Sequence, residues 1–448
     1  MAAEQDIIVA VELSSTSIRA IAGTKQPDGT MRVVAFAEER SVNTIRKGVI
    51  DNIDKTTQAI SQCVHKLADQ LSVNVTRVYV GLAGQSMHSV CNVVPQMLGE
   101  KSKITEDIID RMKDVNQSVD YPDSTILDVI PQEYHIGARA VTDPVGMQSE
   151  SVEAVFLNVV ARKELYDNIQ VCVRNAGLEL VDILLSPLCL ADSQLSSSER
   201  RSGCALVDMG AETTTVSIYK NDIMRHLVVI PLGGANVTAD ISSMGMEMDE
   251  AEELKLKHGI AYYKEAEDEA VRPVQVSFGR EVKESDLKHY CSARYEEIVC
   301  NVGEQLKDRD DLICGIVLTG GAAQVKNIQE AFTEYLKWTG KVQLRKGLPL
   351  NVELAPGLTL PDVNMLHTLI ALLQKGDQNC ISPKVEEPED SCAEEPAKEV
   401  EQLTEEPADV ASEETEESEE EMKEPSGKKI KKAGKSIWTI LAKMLTEE

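Results

Sequence analysis

Residues 7–23 read "IIVAVELSSTSIRAIAG". An apolar run ends at a carboxylate, Glu12. Three hydroxyl residues, Ser14, Ser15 and Thr16, follow as a turn, and a second apolar run comes after them. That order describes a β-hairpin whose first strand is buried. It recurs at 204–220 as "CALVDMGAETTTVSIYK", where the run ends at Asp208 and the turn is Gly210, Ala211, Glu212 and Thr213. A single hairpin of this kind is usually a solvent turn. Two of them, with carboxylates at matching positions, predict a duplicated fold with two similar halves.

A third segment, 315–337, reads "GIVLTGGAAQVKNIQEAFTEYLK". A short strand meets Gly320 and Gly321, and a helix follows. Glycines there let the backbone approach a ligand closely, and a helix N-terminus favours phosphate. The three segments share a physical logic. A triphosphate needs N–H donors and hydroxyls around its oxygens, together with a divalent cation. Two facing hairpins could clamp the phosphates, and Glu12 and Asp208 could hold Mg²⁺ through water.

Composition narrows the classes. The chain has 448 residues and a formal net charge of −29, which argues against a nucleic-acid partner. Much of that charge is local, because residues 386–424 carry 19 acidic residues against two lysines. With four prolines in and just beyond that stretch and no aromatic side chain, residues 377–426 are expected to be a disordered acidic linker. The ten cysteines form no CxxC pair, "MAAEQD" leads directly into a strand, and no apolar run approaches the length of a membrane span. The expectation is a reducing, cytoplasmic compartment.

The last stretch, 427–448, reads "GKKIKKAGKSIWTILAKMLTEE". On a helix, Ile430, Ile437, Trp438, Ile440, Leu441, Met444 and Leu445 share one face, and lysines including Lys432 and Lys435 occupy the other. This amphipathic helix suits an anionic membrane surface, with apolar side chains among the acyl chains and lysines at the headgroups. A helix docking into a protein groove would not need the lysine collar. The acidic linker then serves as a tether of roughly 40 Å root-mean-square span.

Taken together, "VAVELSSTSIRAI", "LVDMGAETTTVSIY", "VIPLGGANVTADI", "AEELKLKHGIA" and "GIVLTGGAAQ" resemble the actin-like ATPase superfamily. Within it the similarity is to the bacterial cell-division FtsA family. It covers roughly residues 5–376 and the terminal helix. It implies an α/β fold of two halves around a nucleotide cleft. The first half would comprise 1–84 and 164–201, with an FtsA-type subdomain inserted at 85–163. The second would comprise 202–240 and 308–376, with a further subdomain at 241–307. The linker and helix would be 377–426 and 427–448.

The resemblance also implies a site. Ser14, Ser15 and Thr16 would cradle phosphate from one side, and Gly210, Ala211, Glu212 and Thr213 from the other. Gly233 and Gly234 would belong to the same site. Glu252 and Lys255 would flank the adenosine of ATP, with Gly320, Gly321 and Ala322 beneath it. Family members usually have glycine at Ser14 and a glycine run at 211–213. Glu212 would therefore have to face metal or solvent. Hydrolytic relatives carry Glu or Gln where this chain starts its crossing helix with Ser186 and Pro187, so slow turnover or none is expected. Implied partners are the FtsZ C-terminal tail, met by Arg294, further copies of the chain in filaments, and later division proteins at the inserted subdomain. The whole would be an adaptor tethering FtsZ to the inner membrane face at the septum. An actin-type small-molecule kinase and a pilus-assembly ATPase are the rival readings. A kinase would need an Asp base near a substrate pocket and has no use for the terminal helix.

Overall fold

The computed structural model of the chain describes residues 6–41, 44–264, 272–307 and 311–382. Both expected hairpins form. Ile8–Leu13 pairs antiparallel with Ser17–Lys25, and Glu12 stands opposite Arg19. Met31–Arg40 joins antiparallel on one side, while Arg77–Leu82 and then Glu179–Leu185 join parallel on the other. The second set repeats this plan. Cys204–Met209 pairs with Thr214–Lys220, placing Asp208 opposite Thr215. Ile223–Ile230 joins antiparallel, and Ile316–Thr319 and Val342–Leu344 join parallel. The two sets share strand order and direction, and each carboxylate is the fifth residue of a six-residue strand.

The packing explains the sequence pattern. Helices Ile53–Leu71 and His367–Lys375 both lie on the first sheet, so Ile8, Val9, Ala10 and Val11 are all buried and need a continuous apolar run. Strand Met31–Arg40 instead alternates, burying Met31, Val33, Ala35 and Ala37. Helix Ile53–Leu71 starts where the Asn52 side chain accepts from the Lys55 N–H and stops at Ser72, whose φ is 53°. Its buried face, Thr56, Ala59, Ile60, Cys63, Val64 and Leu67, keeps helical spacing.

Between Arg77–Leu82 and Glu179–Leu185 the chain makes an inserted unit. Strands His88–Lys103, Ser124–Ile136, Arg139–Val141 and Gln148–Arg162 form a sheet, and helix Glu106–Gln117 packs on it. Val94, Ile108, Met112, Val152 and Phe156 belong to its own small core. An amide network locks the helix down. The Asn116 side chain donates to Asn158 Oδ1 at 2.6 Å and accepts from Asn92 at 2.8 Å, and Asn158 donates to the Tyr121 hydroxyl at 2.9 Å. The unit is not detached, since His88 pairs with Val228 and its strands extend the second half's sheet to nine.

Helices Met248–His258 and Glu284–Gln305 and the hairpin Pro273–Val276/Arg280–Lys283 lie within 241–307. They share one core with the second half, Leu254, Leu287 and Tyr295 joining Val207, Val216 and Phe332.

Two expectations are corrected. The stretch 308–376 was expected to return to the second half and end the core. Strands Ile316–Thr319 and Val342–Leu344 and helix Ile328–Leu336 do so. Val352–Leu354 pairs with Met31–Val33 of the first sheet, and helix His367–Lys375 packs there too. Second, residues 377–382 belong to the core rather than to a linker. The Cys380 N–H donates to Ile7 O at 2.8 Å, Cys380 is buried, and Ile381 pairs with Val75. The rest of the expected linker and the whole terminal helix, Ile430 to Leu445 included, lie outside the described residues. No helix among the described residues is long and apolar enough to cross a membrane.

Candidate functional site

The turns of the two hairpins face one cavity. Glu12, Ser14, Ser15, Thr16, Asp208, Gly210, Ala211, Glu212, Thr213, Gly320 and Gly321 all line it. At its floor are the two carboxylates. Glu12 Oε2 is buried with no hydrogen-bond partner, and its nearest cation, Arg19 Nη1, is 3.8 Å away. Burial pushes the Glu12 carboxyl up to about 7, against the pull of Arg19 and with help from the charge of Asp208. Burial likewise raises Asp208 to about 6, although the Thr368 hydroxyl donates to it at 3.4 Å. Strand register decides what opposes the rise at Glu12. Glu12 stands across from an arginine and Asp208 across from a threonine.

The first turn is closed by its own hydroxyls. The Ser14 N–H donates to Ser17 O at 3.1 Å, the Ser14 hydroxyl donates to the same oxygen at 2.9 Å, and the Ser41 hydroxyl donates to Ser14 O at 2.8 Å. This leaves the N–H groups of Ser15 and Thr16 with no acceptor among the described residues. The second turn is held from behind. Gly234 N–H and Ala235 N–H, at the start of helix Gly234–Ser242, donate to Gly210 O at 3.0 Å and Ala211 O at 2.6 Å. Gly233 is required for this approach, since a Cβ there would stand 2.6 Å from both carbonyl oxygens. With its carbonyls turned away, the turn leaves the N–H groups of Ala211, Glu212 and Thr213 without a protein acceptor among the described residues. Gly320 has φ 91°, and a Cβ on it would lie 2.5 Å from Asp208 Oδ1, so only glycine fits beside that carboxylate.

The remaining expected residues form a neighbouring wall rather than the cavity lining. Lys255 Nζ donates to Glu252 at 2.6 Å, to the Thr238 hydroxyl at 3.0 Å and to Gly234 O at 3.2 Å. Ala322 O accepts from the Tyr295 hydroxyl at 2.9 Å, and a Cβ at Gly234 would come within 3.2 Å of the Ala322 side chain. Arg294 is elsewhere, forked on Asp240 at 2.6 and 2.9 Å and paired with Glu297. Ser186 and Pro187 do line the cavity, at the start of helix Ser186–Gln194.

Sequence reasoning missed Arg19, Gly48, Asn364, Met365, His367 and Thr368, all of which line the cavity. Arg19 could have been found by counting back along the hairpin from Glu12. The others arrive from segments remote in the chain. Arg19 is held by Glu38 at 2.8 Å and by Met365 O at 3.2 Å. His367 is buried; its Nδ1 shares a hydrogen bond with the Thr319 hydroxyl at 2.7 Å and its Nε2 one with Gly347 O at 2.8 Å. Burial pushes that imidazole below its ordinary range.

Comparison with known proteins gives this geometry a family. Residues 205–358 match the family model described as "Cell division protein FtsA", and residues 84–160 match the "SHS2 domain inserted in FTSA". A cell division protein FtsA of Porphyromonas gingivalis (strain ATCC BAA-308 / W83) is 32% identical over 342 residues, covering 74% of this chain and 71% of its own. The chain belongs to the FtsA family. FtsA of Pseudomonas aeruginosa PAO1 is 31% identical, covering 83% of this chain and 89% of its own. FtsA of Escherichia coli K12 is 26% identical, with 86% and 94% covered. Among solved structures, a chain of the "PilM-PilN type IV pilus biogenesis complex" superposes with a TM-score of 0.59 at 15% identity, covering 82% of this chain and 97% of that one. At that identity the likeness is one of fold. The fold is the actin-like ATPase fold, carrying the FtsA-type insertion.

Proposed function

We propose that the chain is a cell-division adaptor that binds ATP with Mg²⁺, self-assembles into actin-like filaments and tethers FtsZ filaments to the cytoplasmic face of the cell membrane at the septum. One observation carries the nucleotide part: among the described residues, five backbone N–H groups lack acceptors on two facing turns, above two largely buried carboxylates. Such turns form anion nests. A polyphosphate would take the N–H groups of Ser15 and Thr16 from one side and those of Ala211, Glu212 and Thr213 from the other. The unpartnered oxygen of Glu12 fits a divalent cation, which Glu12 and Asp208 would hold through water. When bound, Mg²⁺ supplies charge neutralisation to the phosphates. Glu252 and Lys255 are prearranged beside Gly234 and would flank the nucleoside, with Gly320, Gly321 and Ala322 beneath. Ser186, where hydrolytic relatives place an amide or carboxylate, is a poor orienter of water. Nucleotide therefore serves as a conformational and assembly ligand with slow turnover or none.

Family membership supports the division role. The inserted unit would take later division partners, and the terminal amphipathic helix would take the anionic membrane surface. Arg294 would meet the acidic FtsZ tail, which has to compete with Asp240 and Glu297 for the guanidinium. The cleft is tested by calorimetric titration. Mg-ATP should bind, and Asp208→Ala should weaken binding at least tenfold. No heat and no thermal shift with Mg-ATP would overturn the reading.

A further inference from the structure

One contact crosses the mouth of the cleft. Glu212 Oε2, on the second hairpin's turn, accepts the backbone N–H of Lys47 at 2.5 Å. Lys47 and Gly48 are the central pair of a tight hairpin joining Ile45–Arg46 to Val49–Ile50, with φ of 51° and 77°. Positive φ at both positions makes a type I′ turn. That turn is seated on the first half. Gln85 N–H donates to Lys47 O at 3.0 Å, and a Cβ on Gly48 would lie 2.4 Å from Ala83 O. Gly48 and Glu212 both line the cavity. The Lys47 N–H is thus a sixth backbone donor beside the five left unpaired on the hairpin turns. A carboxylate of the chain itself already occupies it.

We propose that Glu212 is an internal anion, a clasp that holds the two halves together across the cleft and must be displaced by an incoming polyphosphate. A carboxylate and a phosphate oxygen compete for the same kind of donor, and like charges this close repel. The outermost phosphate cannot settle between the turns while Glu212 stays on Lys47. The clasp makes the site self-competing, lowers its affinity, and couples phosphate entry to movement of the Lys47–Gly48 turn. The inference rests on the reading of the cleft as a polyphosphate site.

The test uses the full chain as parent, Glu212→Ala and Glu212→Gln, with Mg-ATP and Mg-pyrophosphate as ligands. Hydrogen exchange of the Lys47 amide is followed in the absence of ligand. Glu212→Ala should exchange at Lys47 at least tenfold faster and bind both ligands about tenfold more tightly. Glu212→Gln keeps an acceptor but loses the charge. It should keep Lys47 protected and gain affinity by a smaller factor. Unchanged exchange in Glu212→Ala, or parent-like or weaker binding by both variants while the parent binds Mg-ATP, would overturn the clasp and leave the polyphosphate site standing. Failure of parent and variants alike to bind either ligand would overturn the site itself, and the clasp with it.

Discussion

Glu12 shows how one residue can carry a conflict that the fold does not resolve by itself. Its carboxyl is raised from 4.5 to about 7 because burial disfavours the charge and Arg19, at 3.8 Å, compensates only in part. Between those pH values the folded chain holds a proton that the unfolded chain has released. The stability contributed by the neutral carboxyl is therefore complete below pH 4.5 and lost as pH rises through 7. A shift of this size corresponds to about 2 kcal/mol after allowance for the partly open cleft. Glu12→Gln should melt with the parent at pH 4 and above it at pH 8 when divalent cations are absent. Mg²⁺ with nucleotide should raise the melting temperature of the parent at pH 8 much more than that of the mutant. Thermal scans at both pH values decide this; a Glu12→Gln chain that melts below the parent at pH 8 would show that the carboxylate is not in conflict. The position of Glu12 was legible in sequence because a strand, a carboxylate and a hydroxyl turn lie within ten residues. Its raised carboxyl was not, because the burial that lifts it, and the lesser push of Asp208 and Glu38, arise only in the folded chain.

The elements were legible to the extent that their partners were local. The two hairpins follow from paired apolar runs joined by a carboxylate and a short polar turn. The three-residue strand Val352–Leu354 has no such signal, and only contact with Met31–Val33 makes it a strand. The pairing of His88 with Val228, which joins the inserted sheet to the second half, is equally invisible locally. Nor could sequence tell that Gly233 supports a turn from behind, because that depends on where the carbonyls of Gly210 and Ala211 point. Within the insertion, Asn116 and Asn158 are fully buried and satisfy one another. Asn116→Leu leaves the Asn158 amide short of partners in a low-dielectric place, at a cost of about 2 kcal/mol. Hydrogen exchange should then quicken in helix Glu106–Gln117 while the strands around Ile8–Leu13 keep parent-like protection. Uniform loosening of both regions would mean that the inserted unit does not open separately.

At the scale of the whole molecule, the proposed adaptor divides its work between the core and a terminal segment whose role rests on sequence alone. On the helix expected from the sequence, Trp438 would lie near the centre of the apolar face of residues 430–445. Trp438→Glu puts a carboxylate among acyl chains, where it must be dehydrated or protonated. Binding to anionic liposomes should fall more than tenfold while Mg-ATP binding stays at the parent value. Co-sedimentation with the parent would assign the helix to a protein partner. The core also determines how any load on that segment is received. Cys380 and Ile381 bond to Ile7, Thr76, Arg77 and Val75, Tyr79 bonds Asp377 at 2.8 Å, and Lys25 Nζ holds Gly376 O at 3.2 Å. Ile7 directly precedes the strand that carries Glu12. Tension applied beyond Ser382 therefore enters the molecule at the foot of a strand about 20 Å long. The head of the same strand bears a cleft carboxylate. On the proposed function, a mechanical pull on the tail and the filling of the cleft would act on opposite ends of one rod.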